Sequence, residues 1–89
     1  MYEWDEAKRR GNLAKHGVDF SAAEAFIWQS AFVITDDRRD YGEPRLRVLG
    51  LIGARVHLLV LTPRGDRLRI ISLRKANRRE TRKWRDMND

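Results

Sequence analysis

From Arg45 to Arg74 the chain follows the two-residue rhythm of β-structure, interrupted twice by turn-forming residues. Arg45, Leu46, Arg47 and Val48 alternate as a half-buried strand should. Gly53-Ala54 breaks the run with a tight hairpin turn, and Val56–Thr62, the most apolar segment, reads as the central strand. Pro63-Arg64-Gly65-Asp66 is a second turn, because proline presets one dihedral and glycine accepts a positive one. Arg67–Arg74 is the last strand. Strands joined by turns this short pair antiparallel, so this half of the chain makes a sheet and the rest packs on it.

The last strand carries an irregularity. Leu68 and Ile70 share one face with Ser72 and Arg74, while Arg67 and Arg69 share the other with Ile71 and Leu73. The apolar face therefore switches between Ile70 and Ile71. Either a bulge there restores a single inward face, or the strand is buried on both faces in its middle and frayed by arginines at its ends. Both readings put Arg69 and Arg74 close to the sheet surface.

The first half reads differently. Asp5 to His16 fits a helix started by Trp4 and Asp5 and stopped by Gly17, with Lys15 and His16 suiting the dipole at its last turn. Gly11 inside it costs about 1 kcal/mol against alanine. A second helix is expected to begin at Ser21 in a capping box with Glu24, turning Ala22, Ala25 and Phe26 toward a core. Ala31–Thr35 reads as a short strand closed by Asp36 and Asp37. After the sheet, Asn77 caps a C-terminal helix with Glu80 three positions on. The expected class is α+β: two N-terminal helices, a four-stranded antiparallel sheet and a C-terminal helix.

A chain of 89 residues forms one domain, spanning 1–89, with room for one layered core. The N-terminus is acidic and amphipathic, unlike a signal peptide. The longest apolar stretch, Leu58–Leu61, falls far short of the roughly 20 residues that cross a bilayer. Cysteine is absent, which excludes disulfides and thiolate metal sites. With no export signal and no disulfide, the expected compartment is the cytoplasm. Nineteen basic residues against thirteen acidic ones leave a charge of +6, and fifteen of the nineteen are arginine. Arginine's planar fork of donors matches phosphate and stacks on bases, so the bias favours an anionic polymer, nucleic acid above all, as partner. An ordinary solvated surface is the plainer explanation of the same composition.

Trp4-Asp5-Glu6-Ala7-Lys8, Asn12-Leu13 and Lys15-His16-Gly17-Val18 resemble the opening signature of the BrnT family. Asp36-Asp37-Arg38, Gly42-Glu43, Thr62 with Arg64-Gly65, and Arg69-Ile70-Ile71-Ser72 with Arg74 continue the resemblance in order. Each fragment alone is weak, but the ordered set covers nearly the whole chain. The resemblance implies a RelE-like fold and a ribonuclease toxin of a type II toxin–antitoxin system. It further implies cleavage of RNA without a metal or cofactor, arrest of translation and growth, and neutralisation by a ribbon-helix-helix antitoxin of the BrnA kind. The complex of the two would bind operator DNA, largely through the antitoxin. The chain departs from the family's pattern at Leu61 and Trp84, where tyrosine is frequent, at Leu73, where a smaller residue is usual, and at Thr81, where arginine is frequent.

Cleaving RNA without a metal requires a base for the ribose 2′-hydroxyl and positive charge on the phosphoryl oxygens. Only His16 and His57 titrate in the right range. His57 lies in the apolar central strand and reads as a packed residue. His16, with Lys15 beside it, serves either to cap its helix or to act in catalysis. Arg69 and Arg74 are the expected phosphate clamps, with Arg78 near a helix N-terminus in support. The plainer role for Arg69 is a cross-strand ion pair, with Glu43 a candidate, and for Arg78 a solvated surface. Arg38, Arg39, Arg78 and Arg79 are expected to hold RNA or an acidic antitoxin segment. Asp36 and Asp37 invite a metal test, but adjacent turn residues diverge and arginines follow, so no metal site is expected. A nonenzymatic, arginine-rich module that binds nucleic acid or protein is the alternative function.

Overall fold

A computed structural model of the chain describes residues 1–35 and 40–88. Its elements are β1 (Tyr2–Glu3), α1 (Glu6–His16), a 3₁₀ turn (Phe20–Ala25), β2 (Phe26–Thr35), β3 (Leu46–Ile52), β4 (Arg55–Arg64), β5 (Arg67–Lys75) and α2 (Arg78–Asn88). The strands form one five-stranded sheet in the order β1-β5-β4-β3-β2. No helix among the described residues is long and apolar enough to cross a membrane.

This architecture corrects the expected RelE-like arrangement in two ways. The sheet has five strands and is mixed, because β1 runs parallel to β5 and pairs Tyr2 with Leu68 and Glu3 with Arg69. Two residues are too few to show an alternating pattern, so β1 left no trace in the sequence. The second N-terminal helix is a six-residue 3₁₀ turn. Asp19 caps it by accepting the Ser21 amide at 3.0 Å, in place of the expected box between Ser21 and Glu24. At Phe26 the backbone goes extended, since Phe26, Ile27, Trp28, Phe32, Val33 and Ile34 suit a pleated surface better than a helix. The strand expected at Ala31–Thr35 thus begins five residues earlier.

The local signals read for α1 and α2 match the structure. Asp5 caps α1 through the Lys8 amide, and Gly17 ends it at φ 73° with its N–H on the Leu13 carbonyl. Asn77 and Glu80 exchange side-chain-to-backbone bonds at 2.8 and 2.9 Å, a complete capping box at the start of α2. Gly53-Ala54 and Gly65-Asp66 are the two-residue loops, each opening on a glycine at positive φ, as a type II′ hairpin requires.

The core lies on both faces of the sheet. On one face Val48, Leu59, Leu61, Ile70 and Leu73 pack against Val18, Phe20, Ala23 and Phe26 from the α1 side. On the other, Leu49, Leu58 and Val60 pack with Val56 and Ala76, and Trp84 of α2 lies against them. Trp84 also donates its indole N–H to the Ser30 carbonyl at 2.7 Å, tying α2 to an irregular stretch of β2 between Ile27 and Phe32. The departure at 84 therefore has a structural role.

β5 contains the bulge that the sequence left open. Val60 pairs with Ser72 and Leu61 with Ile70, so Ile71 is the extra residue. Ile70 and Leu73 consequently face the same core, although three positions apart. Next to the bulge, beyond the end of β1, the buried side chain of Asn12 takes over the edge of β5. Its amide donates to the Leu73 carbonyl at 2.7 Å and its carbonyl accepts the Leu73 N–H at 3.2 Å. The same amide donates to the Val18 carbonyl at 3.0 Å.

Replacing Asn12 by alanine strands the buried backbone groups of Leu73, at about 1–3 kcal/mol for each unsatisfied group. Asn12→Ala is expected to lower unfolding free energy in urea by about 2–4 kcal/mol, more than the roughly 1 kcal/mol expected of Asn77→Ala at an exposed cap. Equal losses would contradict the role given to Asn12.

Candidate functional site

The bulge determines which side chains meet. Arg69 pairs with Thr62 and Arg74 with Leu58, four residues apart on β4, so the two arginines share a face. Without the extra residue, their spacing of five would place them on opposite faces. Arg47 pairs with Val60 and joins the same face from β3. The half of this face beyond α2 is a surface of arginines on three strands.

Each of these arginines is held by a carboxylate. Glu80 of α2 reaches over β4 and accepts both terminal nitrogens of Arg74 at 2.9 Å, a bidentate pair. The same carboxylate lies 3.6 Å from Arg47. Burial alone would raise the Glu80 pKa; the hydrogen bonds from Arg74 and the Asn77 amide, with the charges of Arg74 and Arg47, outweigh it and hold the carboxyl below its usual range. Arg69 donates its Nε to Glu3 at 3.1 Å. The ion pair considered between Arg69 and Glu43 is not made. Glu43 instead lies 3.7 Å from both Arg45 and Arg64. Arg45 also stacks its guanidinium 3.9 Å from the centre of the Tyr41 ring. Thr62, almost fully buried, donates to the Pro44 carbonyl at 2.5 Å and fastens the entry to β3.

His16 sits in the last turn of α1, partly exposed, with Lys15 exposed beside it. Burial, then the charges of Lys15 and Arg74, lower its pKa below the ordinary 6.5. His16 is therefore mainly neutral near pH 7 and lies within electrostatic reach of Arg74. Gly17 provides the α1 cap, so capping does not require His16. His57 is buried on β4, and its Nδ1 lies 2.9 Å from the Arg55 carbonyl, the packed role expected for it. Arg78 and Arg79 are exposed in the first turn of α2. Arg79 borders a hollow of about 310 Å³ shared with Arg47, Glu80 and Lys83. Arg38, Arg39, Asp36 and Asp37 lie outside the described residues. Among the described residues no three histidines, aspartates or glutamates gather as a metal site would need.

Arg45 and Arg47 are the site residues that sequence reasoning passed over, and the signal was present. Their alternation with the core residues Leu46 and Val48 puts both on the face away from α1. The joint role of Glu80 could not be read, because the capping box explained that residue without any strand partner.

The depressed Glu80 pKa has a definite consequence for stability. Its contribution is complete above the ordinary carboxylate value of 4.5 and is lost as pH falls through the lower folded value. Glu80→Gln is expected to cost about 1–3 kcal/mol at pH 7. The gap to the parent chain should close progressively below pH 4.5 in acid-dependent urea melts; a gap independent of pH would refute the assignment.

Comparison with known protein families matches residues 4–80 to the ribonuclease toxin BrnT of type II toxin–antitoxin systems. No curated protein gives a significant match. Membership implies an RNA substrate and an antitoxin partner. A match over 4–80 covers most of the 89 residues and includes α1, the whole sheet after β1 and the cap of α2. The chain belongs to the BrnT family of ribonuclease toxins.

Proposed function

We propose that the arginine face of β3–β5 is where this toxin binds and cleaves RNA, by chemistry that uses its own side chains and no resident metal. The observation carrying this reading is the bulge at Ile71, which puts Arg69 and Arg74 on one surface with Arg47. In the proposed reaction the ribose 2′-oxygen bonds to the adjacent phosphorus, the bond from phosphorus to the 5′-oxygen breaks, the departing 5′-oxygen takes a proton from water and leaves as a hydroxyl, and a 2′,3′-cyclic phosphate remains. His16 takes the 2′-proton, for which its lowered pKa keeps it available near neutrality. Arg69 stabilises the charge that gathers on the phosphoryl oxygens. Its bond to Glu3 uses Nε, and neither terminal nitrogen has a partner among the described residues, so both suit a phosphate. Arg74, held on both terminal nitrogens by Glu80, belongs to the cationic surface, and its charge, from the end of β5, and that of Lys15 both reach His16.

The antitoxin in this reading is a ribbon-helix-helix protein of the BrnA kind. An acidic or amphipathic segment of it covers the arginine face, with Arg38 and Arg39 contributing contacts, and operator DNA is bound mainly through the antitoxin. Arg78 and Arg79 serve the RNA at the edge of the face.

The test is a purified chain incubated with RNA in excess EDTA, with product ends analysed for cyclic phosphate. Cleavage should persist in EDTA. Arg69→Ala should slow it by about 100- to 1,000-fold with the fold intact, the usual loss of an electrostatic stabiliser. His16→Ala should cost about 100-fold or more and remove the acidic limb of the pH–rate profile, which in the parent falls below pH 6.5. Full cleavage by Arg69→Ala would sink the site assignment.

A further inference from the structure

The charge of the arginine face is largely cancelled from within, and the uncancelled charge lies elsewhere. Arg9, Arg45, Arg47, Arg64, Arg69 and Arg74 each have a carboxylate within ion-pair range. A cleft of about 960 Å³ opens between the β3–β4 turn and α2, on the side of the helix away from Glu80's arginine cluster. Arg55, Arg78, Arg82 and Arg85 line it, over a base that includes the buried Val56 and Ala76. All four arginines are exposed, and none has a carboxylate partner among the described residues. Arg55 is oriented by donating to the Ala76 carbonyl at 3.2 Å.

The placement on α2 is regular. Arg78, Arg82 and Arg85 stand at i, i+4 and i+7, one stripe along the helix rising about 10 Å at roughly 1.5 Å per residue. Thr81 and Trp84, partly buried, line the cleft beside this stripe, while Glu80 borders the hollow on the other side of the helix. A run of guanidinium groups at this pitch, with no internal counter-charge, suits a ligand carrying one negative charge at each regular step. The cleft also comes close to the proposed cleavage face at the start of α2. Asn77 borders both it and the hollow that holds Arg47 and Glu80.

We infer that the cleft is a second phosphate-binding track, which takes the sugar-phosphate backbone of a single RNA strand as it leaves the β5 face. The inference rests on that face being where RNA is bound. The paired arginines then act at the reacting phosphate, where position matters most. The unpaired arginines supply binding strength through counterion release. The track is indifferent to base sequence, because guanidinium groups on a helix stripe read phosphates and not base edges.

The test uses the whole chain and a fluorescein-labelled single strand of RNA, about twelve nucleotides long, with every 2′-oxygen methylated so that it cannot be cleaved. Its affinity is measured by anisotropy from 50 to 200 mM salt. Each phosphate contact on a single strand contributes about 0.7 to the slope of log affinity against log salt. Arg82→Gln with Arg85→Gln should flatten that slope by about 1.4, whereas Lys8→Gln with Arg10→Gln, an equal charge loss on exposed α1 positions, should leave it near the parent value. Arg82→Lys with Arg85→Lys should keep most of the slope, since the charges remain. Identical slopes for the two glutamine pairs would overturn the inference, as would a parent chain whose affinity does not respond to salt. Full cleavage by Arg69→Ala with the slope difference intact would refute the cleavage site and leave the track standing.

Discussion

The side chain of Asn12 grips Leu73 by both its N–H and its C=O, and the geometry of the sheet depends on this small contact. β1 supplies backbone partners to β5 only as far as Arg69. Beyond that point the edge of β5 would present unpaired groups beneath α1. An amide side chain presents a donor and an acceptor at the spacing of a peptide group, with a second N–H left for the Val18 carbonyl, so Asn12 continues the ladder from within a helix. It does so next to the extra residue Ile71, where the strand is least supported by its neighbour β4. The grip explains how a buried asparagine is tolerated on a helix whose other residues are partly or fully exposed.

The bulge in turn reconciles two demands on β5. The core needs Ile70 and Leu73 on one side, and the surface needs Arg69 and Arg74 on the other. A regular strand cannot satisfy both, since residues three apart fall on opposite faces and residues five apart do too. One inserted residue resolves both conflicts together. The result is a strand that turns Ile70 and Leu73 into one core and gathers Arg69 and Arg74 on its outer face.

Glu80 shows how electrostatics and fold share one group. It closes the capping box of α2, neutralises Arg74 and draws in Arg47, so it joins α2 to β5 and β3 at once. Because these arginines are held by carboxylates, they are positioned and their charge is partly offset. The exposed stripe on the far side of α2 has no carboxylate partner among the described residues. This division follows from where the acidic residues lie, since the arginines themselves are chemically alike.

What could be read from the sequence was whatever a few neighbouring residues decide together. Asp5 and Gly17 at the ends of α1, the Asn77–Glu80 box, the two glycine turns and the alternation of β3 are local bargains between side chains and adjacent backbone. The apolar switch at Ile70–Ile71 announced a conflict, and the ordered motifs from Trp4 to Arg74 pointed to the BrnT family. Tertiary structure decided the rest. β1 is a strand only because β5 offers an open edge. Phe20–Ala25 is a 3₁₀ turn, and β2 starts at Phe26, because the aromatic and β-branched run gains more by pairing with β3 than by extending a helix. The bulge prevailed over a doubly buried strand because Leu61 pairs with Ile70 and Val60 with Ser72. The pairing of Arg74 and Arg47 with Glu80, and the lack of a carboxylate partner for Arg82 and Arg85 among the described residues, depend on how α2 sits on the sheet. Periodicity identifies which residues face outward; only packing determines which of them meet a carboxylate there.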